Sequence, residues 1–184
     1  MKELTETFQI NNRINLYLLE AVDEDHLKDI PASKGRNVGE QFAHINFGDH
    51  LRELAEMLLR SHMPPGCKVA LEVQADPVSV DLDMAVTLGL IANEVITNSL
   101  KHAFSGKKSG KLVVQLRDGA SREMIVLDDG LGLQDGFDSK KNAGLGIELI
   151  TGLSGQIQGD AKIENRSEGG TRTTIRFPSA GAKK

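Results

Sequence analysis

Tryptophan is absent from this 184-residue sequence, tyrosine occurs once (Tyr17), and aromatic residues together reach only 4%. A platform of aromatic side chains for stacking bases is therefore excluded. Cysteine is equally scarce. The single Cys67 excludes an internal disulfide and a cysteine-rich zinc site. Positive charge is not in excess, since 26 acidic residues face 22 basic ones for a net charge of -4, and the electrostatic footprint of a nucleic-acid binder is missing. Long hydrophobic runs are missing too. Met1–Ala21 is interrupted by Lys2, Glu3, Glu6 and Arg13, unlike a signal peptide. The most apolar stretch, Met84–Ile96, contains Thr87, Asn93 and Glu94 and falls short of the roughly 20 apolar residues of a membrane span. The expectation is a cytoplasmic protein whose partners include neither nucleic acid nor a membrane.

The residues present are those of a globular chain. Hydrophobic residues make up 39%, enough for a core, and no internal repeat interrupts the pattern. Helical spacing appears in Phe8–Val22 and again in Phe47–His62, where Leu51, Leu54, Ala55 and Leu58 recur on one side and Pro64–Pro65–Gly66 closes the run. The period then changes to two. Cys67–Val73 alternates Val69, Leu71 and Val73 with Lys68 and Glu72, as a half-buried strand does. A short strand is expected at Val78–Val80 and a single long helix over Asp83–Phe104. Lys111–Arg117 and Glu123–Asp128 read as a hairpin, Leu145–Leu153 as a helix, and Ala161–Asn165 and Thr171–Phe177 as a last hairpin turned by Glu168–Gly169–Gly170. Ser179–Lys184 is a polar tail. Hairpin strands with interspersed helices predict an α+β fold with the helices on one face of the sheet.

Three separated segments combine into one chemistry. On the long helix, Glu94, Asn98 and Lys101 share a narrow stripe at 100° per residue, while Leu88, Ile91, Ala92, Val95 and Leu100 fall on the opposite side. An amide oxygen suits Mg²⁺ and an ammonium suits phosphate. Next, Asp128-Asp129-Gly130-Leu131-Gly132 follows a strand directly. A carboxylate at a strand end accepts a hydrogen bond from an exocyclic amine, and glycines let the backbone approach a flat ligand. Third, Gly144-Leu145-Gly146 precedes a helix whose N-terminal amides suit phosphate. The stretch Gln134–Ala143 between the last two segments is placed to act as a lid.

In this order and spacing, residues 47–178 resemble the catalytic ATP-binding domain of sensor histidine kinases, the Bergerat fold shared with DNA gyrase, MutL-type and Hsp90-type ATPases. The run Ala85–Phe104, containing Asn93-Glu94-Val95-Ile96-Thr97-Asn98-Ser99-Leu100-Lys101-His102, is similar to the kinase subfamily (HWE-like) whose motif reads "GLI-NELVTNALKHAF". Gly169-Gly170-Thr171 matches that family's last glycine motif. The resemblance implies a two-layer α/β sandwich with a mixed, mainly antiparallel sheet, and ATP and Mg as cofactors. It implies Asn98 as the Mg²⁺ ligand and Glu94 as the acid that activates or orients a nucleophile. Lys101 and His102 would face the phosphates as further catalytic residues. Asp128 would bond the adenine amine, supported by Thr171, with Gly130 and Gly132 beside the base. Asn93 joins the nucleotide-binding set, and Gly144 and Gly146 would shape the phosphate lid. The implied reaction is γ-phosphoryl transfer in two-component signalling.

The first 46 residues do not continue this resemblance. No phosphoacceptor pattern like "HHRVKNNLQ" occurs before Phe47. Instead Phe8–Ala21 resembles the first helix of DinB-like four-helix-bundle proteins, and Gly35–Ile45 resembles the start of their second helix. His44 there falls at one position of that family's three-histidine metal site, while His50 and His62 lack a matching context. The expected organisation is a helical fragment over 1–46 that serves as a possible dimerisation element, a catalytic domain over 47–178, and a tail. The change of resemblance between His44 and Phe47 has the form of a chimera. A histidine-kinase-type domain without its own phosphoacceptor implies a response regulator or another phosphoacceptor protein as partner. The alternatives are an anti-sigma-type serine kinase, and a nucleotide-binding module without kinase activity.

Overall fold

Alternation of side chains along five strands determines what lies inside. In the computed structural model, which describes residues 45–119, 121–134 and 144–179, these strands form one sheet in the order β2-β4-β5-β7-β6. The strands are β2 (Lys68–Ala75), β4 (Ser109–Arg117), β5 (Arg122–Asp128), β6 (Asp160–Asn165) and β7 (Thr171–Phe177). β2 and β4 pair in parallel and the remaining neighbours are antiparallel. A two-stranded ladder of β1 (Ile45–Asn46) and β3 (Ser79–Val80) stands apart. The expected N-terminal helices, the DinB-like runs with His44, lid residues 135–143 and tail residues 180–184 lie outside the described residues.

Register assembles the core from single cross-strand rows. Leu71 pairs with Leu112 and Leu112 with Asp128, while Val73, Val114, Val126 and Thr173 form the adjacent row. Leu112, Val114, Met124 and Ile175 are buried. Within β5 the period-two series Met124, Val126, Asp128 thus carries the aspartate onto the core-facing side at the strand's end. The opposite face mixes Val113, Ile125 and Leu127 with polar residues. It carries Glu72 against Lys111 at 2.6 Å and Glu123 against Arg176 at 2.9 Å. This is the expected α+β sandwich, with a mixed and mainly antiparallel sheet.

Three helices cover the apolar face. α1 (Phe47–His62) begins at Asn46, whose side chain accepts a hydrogen bond from the Gly48 N–H at 3.2 Å, and buries Phe47, Leu51, Ala55 and Leu58. α2 (Leu82–Asn98) begins at Asp81, which accepts from Met84 N at 2.9 Å. It buries Ala85, Leu88, Ile91, Ala92, Val95 and Ile96. α3 (Leu145–Gln156) follows Gly144, which offers no side-chain cap. The spacing predicts one helix to Phe104, but α-winding stops at Asn98 and a five-residue π turn, Ser99–Ala103, takes over. The reason is tertiary. The Ala103 carbonyl accepts the Leu131 N–H at 2.9 Å, and Leu100, Ala103 and Phe104 are all buried. The wider turn docks the helix end onto the loop after β5.

Truncating Leu112, fully buried in the row that ends on Asp128, is expected to cost about 2–5 kcal/mol as Leu112→Ala, read from the denaturant midpoint. The hydrogen bond from Lys111 holds the Glu72 carboxyl below its ordinary range. A folded-state pKa below the unfolded one contributes stability at neutral pH that disappears as the pH falls through the folded value. Glu72→Gln should therefore flatten the acid limb of the stability–pH curve, and an unchanged limb would refute this.

Candidate functional site

The helices and the sheet enclose an open cleft of about 950 Å³ between α2, the π turn, the start of α3 and the ends of β5 and β7. Its floor is apolar, from Val95, Ile147, Ile150 and Ile163. Its polar groups converge from the three sequence segments that predict a site. Among the expected residues, Glu94, Asn98, His102, Asp128, Gly132, Gly144, Gly146 and Thr171 line it.

Asp128 anchors this arrangement. Only 2% exposed, it gives Oδ1 to two backbone donors, Gly130 N at 2.9 Å and Thr171 N at 3.1 Å. Its Oδ2 accepts from Ser99 Oγ at 3.2 Å. An ionised carboxylate offers about four acceptor sites, so the protein leaves one on Oδ2. The adjoining backbone has no room for side chains. A Cβ on Gly170, where φ is +83°, would lie 2.1 Å from the Asp128 carbonyl oxygen, and one on Gly130 would lie 2.3 Å from the Ala103 Cβ.

The opposite end of the cleft combines an acid–amide pair on α2 with the N-terminus of α3. Asn98 Nδ2 donates to Glu94 Oε1 at 3.1 Å, an i,i+4 pair on α2, which leaves the amide oxygen of Asn98 for a ligand. A Cβ on Gly146 would sit 2.2 Å from Glu94 Oε1, so only glycine lets the first turn of α3 approach this carboxylate. The α3 N-terminus carries no side-chain cap, and its free amides favour negative charge. The described lining residues include two carboxylates, Glu94 and Asp128, and neither lysine nor arginine. A polyphosphate in such a cleft needs a divalent cation. The carboxylate–amide oxygen pair is a hard-oxygen donor set of the kind Mg²⁺ takes while keeping several waters. No group of three or more His, Cys, Asp or Glu residues is arranged to hold a metal by itself among the described residues.

Three expected site residues lie elsewhere. Lys101 is exposed and does not line the cleft. Helical spacing at 100° per residue puts it in line with Asn98, but in the π turn the next position along that stripe is four to five residues on, and His102 and Ala103 enter instead. Asn93 is buried away from the cleft, with its Oδ1 unpartnered among the described residues. Gly130 packs against the π turn, not against the cleft, and contributes through its N–H to Asp128. Conversely, Ser99 was absent from the expected set. So were Asn165 and Arg166, whose side chains reach the backbone of Leu133 and Asp128.

A mixed five-stranded sheet with helices on one face is the architecture of the ATPase domains of the gyrase, Hsp90 and histidine kinase class. The family model described as "Histidine kinase-, DNA gyrase B-, and HSP90-like ATPase" matches residues 83–181, and the chain belongs to that family. It is 35% identical over 135 residues to Blue-light-activated histidine kinase 2 of Erythrobacter litoralis, a match covering 71% of this chain and 37% of that protein. It is 30% identical over 102 residues to the sensor histidine kinase PdtaS of Mycobacterium tuberculosis, covering 54% of this chain and 20% of that protein. The chain thus spans little more than a third of the first of these relatives and a fifth of the second. Among solved structures, the histidine kinase domain from the Erythrobacter litoralis EL346 blue-light activated histidine kinase superposes with a TM-score of 0.72 at 25% identity, covering 95% of this chain and 75% of that one.

Gly170→Ala should lose about 1–3 kcal/mol of stability from its positive φ and the clash with Asp128. Gly146→Ala should leave the thermal midpoint within about 2 °C, because the clashing Glu94 side chain can swing away, while displacing that carboxylate from the α3 N-terminus. Thermal unfolding of both variants checks the contrast.

Proposed function

We propose that this domain binds Mg–ATP and transfers its γ-phosphoryl group, as the catalytic domain of a histidine kinase in two-component signalling. The observation that carries this is the Asp128 carboxylate, buried, held by two backbone amides and one hydroxyl, with a single acceptor site open toward the cleft. That is the complement of an exocyclic amine. A base seated there would lie beside Gly132 and Thr171, with its phosphates directed toward Asn98, His102 and the N-terminus of α3.

Asn98 would hold the cation through its amide oxygen, beside the Glu94 carboxylate. Bound Mg²⁺ would supply charge neutralisation for the phosphates. Asn98 remains the proposed metal ligand. Glu94, fixed by Asn98, is the group positioned to orient the attacking nucleophile. His102 adds a donor at the phosphate side. Gly144 and Gly146 keep the α3 amides accessible. Little covalent chemistry falls to the protein in phosphoryl transfer, and positioning and electrostatics carry the rate.

The phosphoacceptor is proposed to be a histidine, and a response regulator the downstream partner. That histidine would belong to a separate protein, and residues 1–46 would serve to pair two copies of this chain. The identity to two named histidine kinases supports this over a serine-directed activity.

Titration with Mg–ATP by calorimetry tests the site. Asp128→Ala should weaken binding about 10- to 100-fold through loss of a bond to a charged group. Asn98→Ala should weaken Mg–ATP binding but affect adenosine little. Undiminished Mg–ATP affinity in both variants would contradict the assignment. Incubation with labelled ATP and a separate histidine-containing acceptor then reads transfer as acid-labile label.

A further inference from the structure

The segment from Asp128 to Gln134 forms one wall of the cleft, yet little in the segment itself makes it rigid. It contains Gly130 and Gly132, the latter at φ +76°, and Leu131 is 64% exposed. Glycines and an exposed side chain leave such a loop with many accessible conformations.

Two adjacent side chains at the end of β6 grip it at both ends. Asn165 Oδ1 accepts the Leu133 N–H at 2.6 Å, and Asn165 Nδ2 donates to the Leu133 carbonyl at 3.2 Å. One amide thereby satisfies both backbone groups of one residue. Arg166 Nη1 donates to the Asp128 carbonyl at 2.7 Å, and its Nη2 lies 3.1 Å from Glu168 Oε2. The grip is anchored in turn. Arg166 N donates to the Gly170 carbonyl at 3.0 Å, and Gly169 N to the Arg166 carbonyl at 3.1 Å. Asn165 pairs across the ladder with Thr171, whose own N–H bonds Asp128 Oδ1. A Cβ on Gly132 would lie 2.8 Å from Asn165 Oδ1, so the loop's glycine is what lets the amide approach.

We propose that Asn165 and Arg166 are positioning residues for the nucleotide, acting as a clamp that pre-organises the base-side wall without touching the ligand. Neither lines the cleft, whereas Leu131, Gly132, Leu133 and Gln134 do. The inference rests on the reading of the cleft as a nucleotide site. Without the clamp, the cost of ordering residues 132–134 moves from folding to binding, and affinity falls by that amount.

The test compares wild type with Asn165→Ala and Asn165→Asp, using Mg–ADP as the probe in calorimetry and hydrogen exchange of the nucleotide-free proteins. Asn165→Ala should bind Mg–ADP about 3- to 10-fold more weakly, with faster exchange confined to the peptide spanning 129–134 and unchanged protection in β5 and β7. Asn165→Asp keeps the acceptor for Leu133 N–H and should lie between the two. It also serves as the measurement if the alanine variant does not fold. Affinity within twofold of wild type in both variants overturns the clamp. So does exchange that rises across the whole domain, which would mark general destabilisation. A wild-type protein that fails to bind Mg–ADP overturns the nucleotide reading itself, a result separate from any difference among the variants.

Discussion

A carboxylate buried at the end of a central strand is the constraint around which this domain is arranged. Asp128 takes a core position by strict alternation, at a point where its neighbours in the same row are leucines. An unpaired charge there would cost more than any single apolar contact restores. The fold answers with backbone. The loop after β5 turns at once so that Gly130 N–H points back, and the last hairpin brings Thr171 N–H to the same oxygen. The helix end supplies Ser99. Three elements are thus tied to one side chain, and the two that donate through the backbone have a glycine at or beside the contact, Gly130 and Gly170.

Much of this was legible in the chain. Strands and helices follow from periodicity, and the helix from Phe47 to His62 and the strand from Thr171 to Phe177 have the boundaries that their patterns predict. The position of Asp128 is also readable, since Met124, Val126 and Asp128 form one period-two series. The grouping of Glu94, Asn98, Asp128 and the glycine turns was expected, and the cleft brings them together.

What was not legible has a common cause. The change from α to π winding depends on Leu131 docking onto Ala103, and nothing between Asn98 and Phe104 declares it. Lys101 was misaligned for that reason. Ser99, Asn165 and Arg166 act on partners 29, 32 and 38 residues away, and neither serine, asparagine nor arginine carries a local pattern for such contacts. Asn93 shows the converse. Its neighbours in the motif face the cleft, but a position 100° around the helix from Glu94 faces the interior.

The parallel pairing of β2 with β4 carries a consequence for how the molecule is made. Every other ladder in the sheet joins antiparallel strands, but β2 and β4 are joined by a crossover that contains α2 and the π turn. A parallel pair cannot be joined by a tight turn and needs such a crossover. The helix that carries Glu94 and Asn98 is therefore also the connection that lets β2 lie parallel to β4, so one element serves both the cleft and the parallel pairing of the sheet.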